Sequence, residues 1–86
     1  MRKISPWYGS HKVVHGTVKK WDDEEGWGVL VSPDLPGEVF AHHVHIRGQD
    51  EYRTFAAGDP VVFEADEQGQ EGCQYRARWV QRLADI

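Results

Sequence analysis

Three groups of side chains in this sequence have types and spacings that bear on chemistry. The first is aromatic. Trp27 stands between Gly26 and Gly28, and Phe40 is followed two residues later by His42. A large ring between glycines is costly in a strand, because glycine adds chain entropy and packs nothing. Such a run is worth keeping where another molecule lies close against the backbone and flat on the ring, as a stacked base does. The second group is His42, His43 and His45. Imidazole is the commonest transition-metal ligand, but no carboxylate or second thiolate completes a set here, so the rings read as stacking surfaces and no metal is expected. The third group is Asp22-Asp23-Glu24-Glu25. Paired carboxylates suit general acid–base work, yet four consecutive acids in a turn read as a solvated face, with nothing nearby to raise a pKa. Their expected role is to bias ligand choice by repelling a second strand or duplex phosphates. Gly26 and Gly28 form no phosphate-cradling loop, since no helix follows them. Cys73 has no triad-like neighbour and reads as a small, half-buried apolar residue. No catalytic residue and no cofactor are expected.

The elements that must position these groups are strands. Residues 1–12 show no helical or strand period and read as an N-terminal arm carrying Trp7 and Tyr8, with the folded unit over 13–86. Val13 to Trp21 is rich in β-branched and aromatic residues, the acidic run to Gly26 is a tight turn, and Trp27 to Ser32 is the second strand. After the turn-forming Pro33 to Gly37, Glu38 to His42 alternates. With Val39 and Ala41 facing a core, Phe40 and His42 face outward together. His43 to Gly58 is a long connection with one short helical turn. Pro60 to Ala65 is the fourth strand, with Val61, Phe63 and Ala65 on one face. Cys73 to Leu83 is the fifth, where strict alternation stacks too much bulk on one side and implies a bulge or an edge. Tyr75 and Trp79 are expected to plug the barrel. The candidate core is Val18, Leu30, Val39, Ala41, Ile46, Val61, Phe63, Ala65, Ala77 and Val80, which is thin and implies modest stability. Short strands with regular turn signals and no convincing helix define an all-β, small closed barrel, since closure removes exposed edges.

Composition narrows the class. The chain has 86 residues, 40% hydrophobic and 28% charged, an ordinary globular balance for one domain near the small end of what folds without staples. A single cysteine rules out an intramolecular disulfide and suits a reducing compartment. No apolar run approaches a membrane span and no signal pattern opens the chain, so a soluble, cytoplasmic protein is expected. The net charge of −4 argues against binding driven mainly by phosphate neutralisation. It leaves room for single-strand binding, where stacking supplies roughly 1–3 kcal/mol per base.

The order G-T-V-K-x-W-x-x-x-x-G-W-G-V, then V-F-A-H-H, then Y-R-T-F-A-A-G-D-P-V-V-F-E resembles the cold-shock domain from about Gly16 to Leu83. The resemblance implies a five-stranded antiparallel oligonucleotide-binding (OB-fold) barrel. It also implies binding of single-stranded RNA or DNA through aromatics on the first three strands, with RNA-chaperone or gene-regulatory roles. Residue by residue, Trp27, Phe40, His42 and Tyr52 match the family's ring positions, and His43 stands for an aromatic. Val29 replaces a ring, Glu25 stands where a lysine is usual, and Arg53 lies where a lysine is common. The family's K-W-F-N becomes Lys19-Lys20-Trp21-Asp22. An ungapped match puts Lys20 at the stacking tryptophan and Trp21 at a more buried position, whereas alternation from a buried Val18 puts Lys19 and Trp21 outward. The reading adopted has Trp21 at least partly exposed and usable for stacking. Losing two platforms, at Lys20 and Val29, corresponds to ~2–6 kcal/mol.

The expected site is therefore Trp27, Phe40, His42 and Tyr52 stacking bases, with Trp21 and His43 contributing and Lys19, Lys20 and Arg53 on the backbone. Binding is expected to be salt-sensitive, with modest, pyrimidine-leaning preference, by a monomer with a dimer as the alternative. The competing reading keeps the barrel but reduces nucleic-acid affinity, leaving a protein-interaction or regulatory module. It is motivated by Lys20, Glu25, Val29, the acidic turn and the negative charge.

Overall fold

The computed structural model describes residues 11–48 and 54–85. Its elements are β1 (His11–Asp22), β2 (Trp27–Val31), β3 (Val39–His42), a 3-10 turn (His43–His45), β4 (Ile46–Arg47), β5 (Pro60–Asp66), β6 (Tyr75–Arg82) and a closing 3-10 turn (Leu83–Asp85). The sheet runs β3-β2-β1-β5-β6-β4, and a further β3–β6 pairing closes it into a barrel. Five strands carry the barrel, and β4 is a two-residue addition. The closing contact is short and parallel, pairing Val39 with Tyr75 and Phe40 with Arg76. β1 begins at His11, two residues before the start inferred from β propensity. Among the described residues no helix is long and apolar enough to cross a membrane.

Alternation sorts the side chains. Val14, Val18, Leu30, Val39, Ala41, Val61, Phe63, Ala65, Ala77 and Val80 fill the barrel, with Ile46 packed against them. Every expected core residue is in place. The sequence reading missed Leu35 and Phe55, which come from connections, and Val14, which lies on the same face of β1 as Val18. Tyr75 is buried in the same core, as a plug, but Trp79 is not. The reason is a register shift in β6: Glu64 pairs with Trp79 while Ala65 pairs with Ala77, so Arg78 is an extra residue. That bulge returns Val80 to the core and leaves Trp79 half-buried outside it, its indole N–H donating to Glu64 Oε1 at 2.7 Å.

A second bulge decides the candidate site. Val18 pairs with Leu30, but Lys20, not Lys19, pairs with Val29. A bulge inserts one unpaired residue, and a one-residue slip sends each following side chain to the opposite face. Beyond Lys19, Lys20 therefore points out and Trp21 points toward the core, where it packs half-buried. The residue spacing favoured by the ungapped comparison prevails over simple alternation.

Because Phe63 is wholly buried among these strands, Phe63→Ala should cost about 3–5 kcal/mol. Urea unfolding followed by tryptophan fluorescence will measure it, and in a domain this small the variant is expected to be largely unfolded.

Candidate nucleic-acid interface

Register organises the outer face into two rows. The first runs Asp22–Trp27–His42, and the second runs Lys20–Val29–Phe40–Arg76. Between them lies an inward row, Trp21–Gly28–Ala41. Trp27 is half-buried and covers Phe40, with ring centroids 5.2 Å apart and planes 31° from parallel. Phe40, Val29 and Cys73 form a small apolar cluster outside the barrel, and Trp27 packs on it. Phe40 thus faces away from the main core as alternation requires, but it is only 4% exposed. The expectation of an exposed Phe40 is corrected: Trp27 and its neighbours bury it, leaving Trp27 as the outward ring.

The ring series continues from Phe40 to His42 at 6.5 Å and from His42 to His43 at 4.6 Å. Both imidazoles are half-buried and oriented by hydrogen bonds. His43 Nδ1 lies 3.2 Å from the Gly26 carbonyl, which can only accept, so this nitrogen carries the proton. His42 Nδ1 accepts from the Val44 amide at 3.3 Å, capping the 3-10 turn. Burial, then the charges of His43 and His45, hold the His42 pKa below its ordinary value. Among the described residues no group of three or more His, Cys, Asp or Glu side chains is placed to hold a metal ion.

The turn between β1 and β2 is built by its own acids. Asp22 Oδ1 accepts from the amides of Glu24 and Glu25 at 2.9 and 3.0 Å, and the Gly26 amide donates to the Asp22 carbonyl at 2.8 Å. Gly26 has a φ of 77°, the left-handed region that glycine adopts without penalty. The space above both glycines is filled by this protein itself. A Cβ on Gly26 would fall 2.6 Å from His43 Nδ1, and one on Gly28 would fall 2.4 Å from the Trp21 ring and 2.3 Å from the Lys20 carbonyl. The expectation that the glycines admit a ligand is corrected: they admit His43 and Trp21.

Trp21 is set by the connection that leads into β5, which hydrogen-bonds to β1 at Val18. Its ring meets Phe55 edge-on at 5.3 Å and 89°. Arg82 lies 5.0 Å over the Phe55 ring, donates to the Thr54 carbonyl at 2.9 Å and approaches Asp59 at 3.5 Å. Thr54 in turn donates its hydroxyl to Asp23 of the acidic turn. Phe55 and Arg82 are the residues the sequence reading missed here. The available signal was an aromatic directly before the turn residues Ala56-Ala57-Gly58-Asp59. Two clefts flank the seated Trp21. One, of about 480 Å³, is lined by Lys20, Trp21, Trp27, Gly28 and the turn acids. The other, of about 520 Å³, is lined by Trp21, the turn acids, Gly26, His43 and Thr54.

The structure therefore brings together Lys20, Trp21, Trp27, Phe40, His42 and His43. Lys19 lies beside them but is engaged in an ion pair with Glu38. Tyr52 and Arg53 lie outside the described residues. Cys73 is buried at 8% exposure, and burial pushes its thiol pKa up, which suits packing rather than nucleophilic attack.

Against known proteins, the 'Cold-shock' DNA-binding domain family matches residues 14–82. The chain is 36% identical over 62 residues to the cold shock-like protein CspD of Vibrio cholerae, covering 72% of this chain and 79% of that protein. It is 39% identical over 59 residues to the cold shock protein ScoF of Streptomyces coelicolor, covering 69% and 85%. It is equally similar to the cold shock-like protein CspG of Shewanella violacea, covering 69% and 81%. The chain belongs to the cold-shock domain family, and its barrel is the OB-fold of that family.

Two measurements test this geometry. Gly28→Ala should displace the Trp21 ring and cost about 1–3 kcal/mol, the usual range for overpacking, read by urea unfolding and by a shift in tryptophan emission. The depressed pKa of His42 makes a pH prediction. A base whose folded pKa lies below its unfolded value takes up its proton more readily when unfolded, so stability is full above about pH 6.5 and falls as pH drops below it. His42→Gln should flatten that fall, measured as midpoint denaturant concentration between neutral and mildly acidic pH.

Proposed function

We propose that this protein binds single-stranded RNA or DNA by stacking bases on its outer face, without turnover, in an RNA-chaperone or gene-regulatory role. The observation that supports this most directly is the row Asp22–Trp27–His42, where a half-buried tryptophan backed by Phe40 continues into two histidine rings. A base laid on Trp27 gains a wide apolar contact with a ring that packing already holds in place, so little side-chain entropy is lost on binding. Trp21 offers its edge in the adjoining cleft, His42 and His43 extend the stack, and Lys20 supplies charge at the end of the second row. Phe40 contributes as the floor beneath Trp27. Lys19 reaches a phosphate only by exchanging its pairing with Glu38. Tyr52 and Arg53 belong to the same proposal. The protein acts as a monomer in this reading.

The acidic turn favours a second reading. Asp22 sits directly across from Trp27, and Asp23 and Glu24 line both clefts. Carboxylates so placed repel phosphates, and a barrel with that edge suits a protein-interaction module.

Fluorescence titration with oligothymidine and a matched RNA decides between them. Saturable quenching at physiological salt, with affinity reduced at least about fivefold in Trp27→Ala (~1 kcal/mol per stacked base), is the expected result. Equal affinity of variant and parent, or no binding at physiological salt, would overturn the stacking assignment and favour the protein-interaction reading.

A further inference from the structure

The outer face does not end at β3. Phe40 pairs with Arg76 across the parallel seam, so Arg76 stands on the same face one strand spacing, about 4.8 Å, from the residue that Trp27 covers. The row Lys20–Val29–Phe40–Arg76 is an apolar strip with a cation at each end. The β6 bulge then turns Arg78 to solvent, and Trp79 carries the Arg47 guanidinium 4.4 Å over its ring. A depression of about 440 Å³ lies among His45, Arg47, Arg78 and Trp79. The 3-10 turn His43–His45 follows His42 directly and leads into β4, so the depression and the ring series lie on adjoining segments.

The charges facing this region are named readily. Asp66 lies 3.6 Å from Arg76 and 3.9 Å from Arg78, Gln68 accepts from Arg76 at 3.0 Å, and Glu64 holds the Trp79 indole. Among the described residues, Arg47, Arg76 and Arg78 are set against Asp66 and Glu64 along β6, with Glu38 and Glu71 near Cys73 at the start of the seam. The acids of the β1–β2 turn occupy the opposite end of the face. A polyanion resting on Trp27 is therefore pushed from the turn and drawn toward β6.

We propose that a single nucleic-acid strand stacked on Trp27 and His42 continues across the β3–β6 seam, its phosphates contacting Arg76 and then Arg78 and Arg47. A guanidinium matches a phosphate's geometry with two parallel hydrogen bonds, which a lysine does not provide. This extension rests on the nucleic-acid reading above.

The test is a fluorescence titration of the full chain with an oligothymidine of about 10 nucleotides, within the span of one OB fold, over a series of salt concentrations. Arg76→Gln leaves Arg78 to face Asp66, and Arg47→Gln disturbs neither. Each is expected to bind roughly two- to fivefold more weakly, the worth of an exposed ion pair. Each should also flatten the plot of log affinity against log salt by about 0.7, one phosphate contact. Arg76→Lys should keep the parent slope. Should Arg76→Gln not fold, the affinity and slope of Arg47→Gln decide the matter. Binding by the parent with unchanged affinity and slope in the folded variants overturns the extension while leaving the stacking reading intact. Absence of binding by the parent overturns both.

Discussion

The candidate face depends on one extra residue in β1. Were the strand regular, Val18 inside would place Lys20 inside and Trp21 outside. A lysine in that position would leave an ammonium in the barrel without a built partner, at a cost of several kcal/mol. The bulge at Lys19 reverses the order, and each neighbour is suited to the reversed arrangement. Gly28 leaves room for the Trp21 ring, Phe55 meets its edge, and Glu38 takes the Lys19 ammonium. Trp21 then anchors the acidic turn over the core, and the position of that turn determines where Trp27 enters β2. The candidate face follows from packing decisions made on the other side of the sheet.

Charge layout is the second constraint, and it is local. At physiological salt the screening length is about 8 Å, so exposed charges farther apart than that act nearly independently. The net charge of −4 is therefore a weak guide to what a strand meets on this face. The turn acids are fixed at one end, since Asp22 caps the turn amides and Asp23 accepts from Thr54. Lys20 and Arg76 stand at the two ends of the neighbouring row. On the proposed reading, charge laid out unevenly in this way would orient a bound strand as well as attract it, which a uniform basic surface does not do.

Much of this was legible in the sequence because it is local. The alternation of Val39 to His42, the turn at Gly26, a short helical turn within residues 43–58 and the crowding in β6 that calls for a bulge or an edge all follow from short-range rules. The β1 bulge was not legible from alternation, because Val18 to Asp22 shows no crowding of the kind that marks β6; only the family spacing pointed to it. Nor was the burial of Phe40, which depends on Trp27 one strand away folding over it. The glycines show the limit most clearly. Their presence implied a close approach, correctly, but only the register reveals that the approaching groups are His43 and Trp21. Arg82 reaches the Thr54 carbonyl across 28 residues of sequence, and no local pattern announces such a contact.

This arrangement also changes what the departures from the family pattern mean. Counting rings treats Val29 as a lost platform, with a cost of a full stacking interaction. In the structure Val29 and Phe40 lie together beneath Trp27, both almost wholly buried. In the proposed binding mode a base meets Trp27 first, and Val29 and Phe40 support that ring from below. Valine, stiff at χ1 and well suited to a strand, does this without offering a ring of its own. The replacement at Val29 thus reduces the number of surfaces while keeping the rigidity of the main one. On the proposed reading its cost falls on the length of strand that can be stacked rather than on the strength of the central contact. The Lys20 replacement differs in kind, since it exchanges a ring for a charge at the edge, which on the proposed reading moves part of the affinity from stacking to phosphate contact.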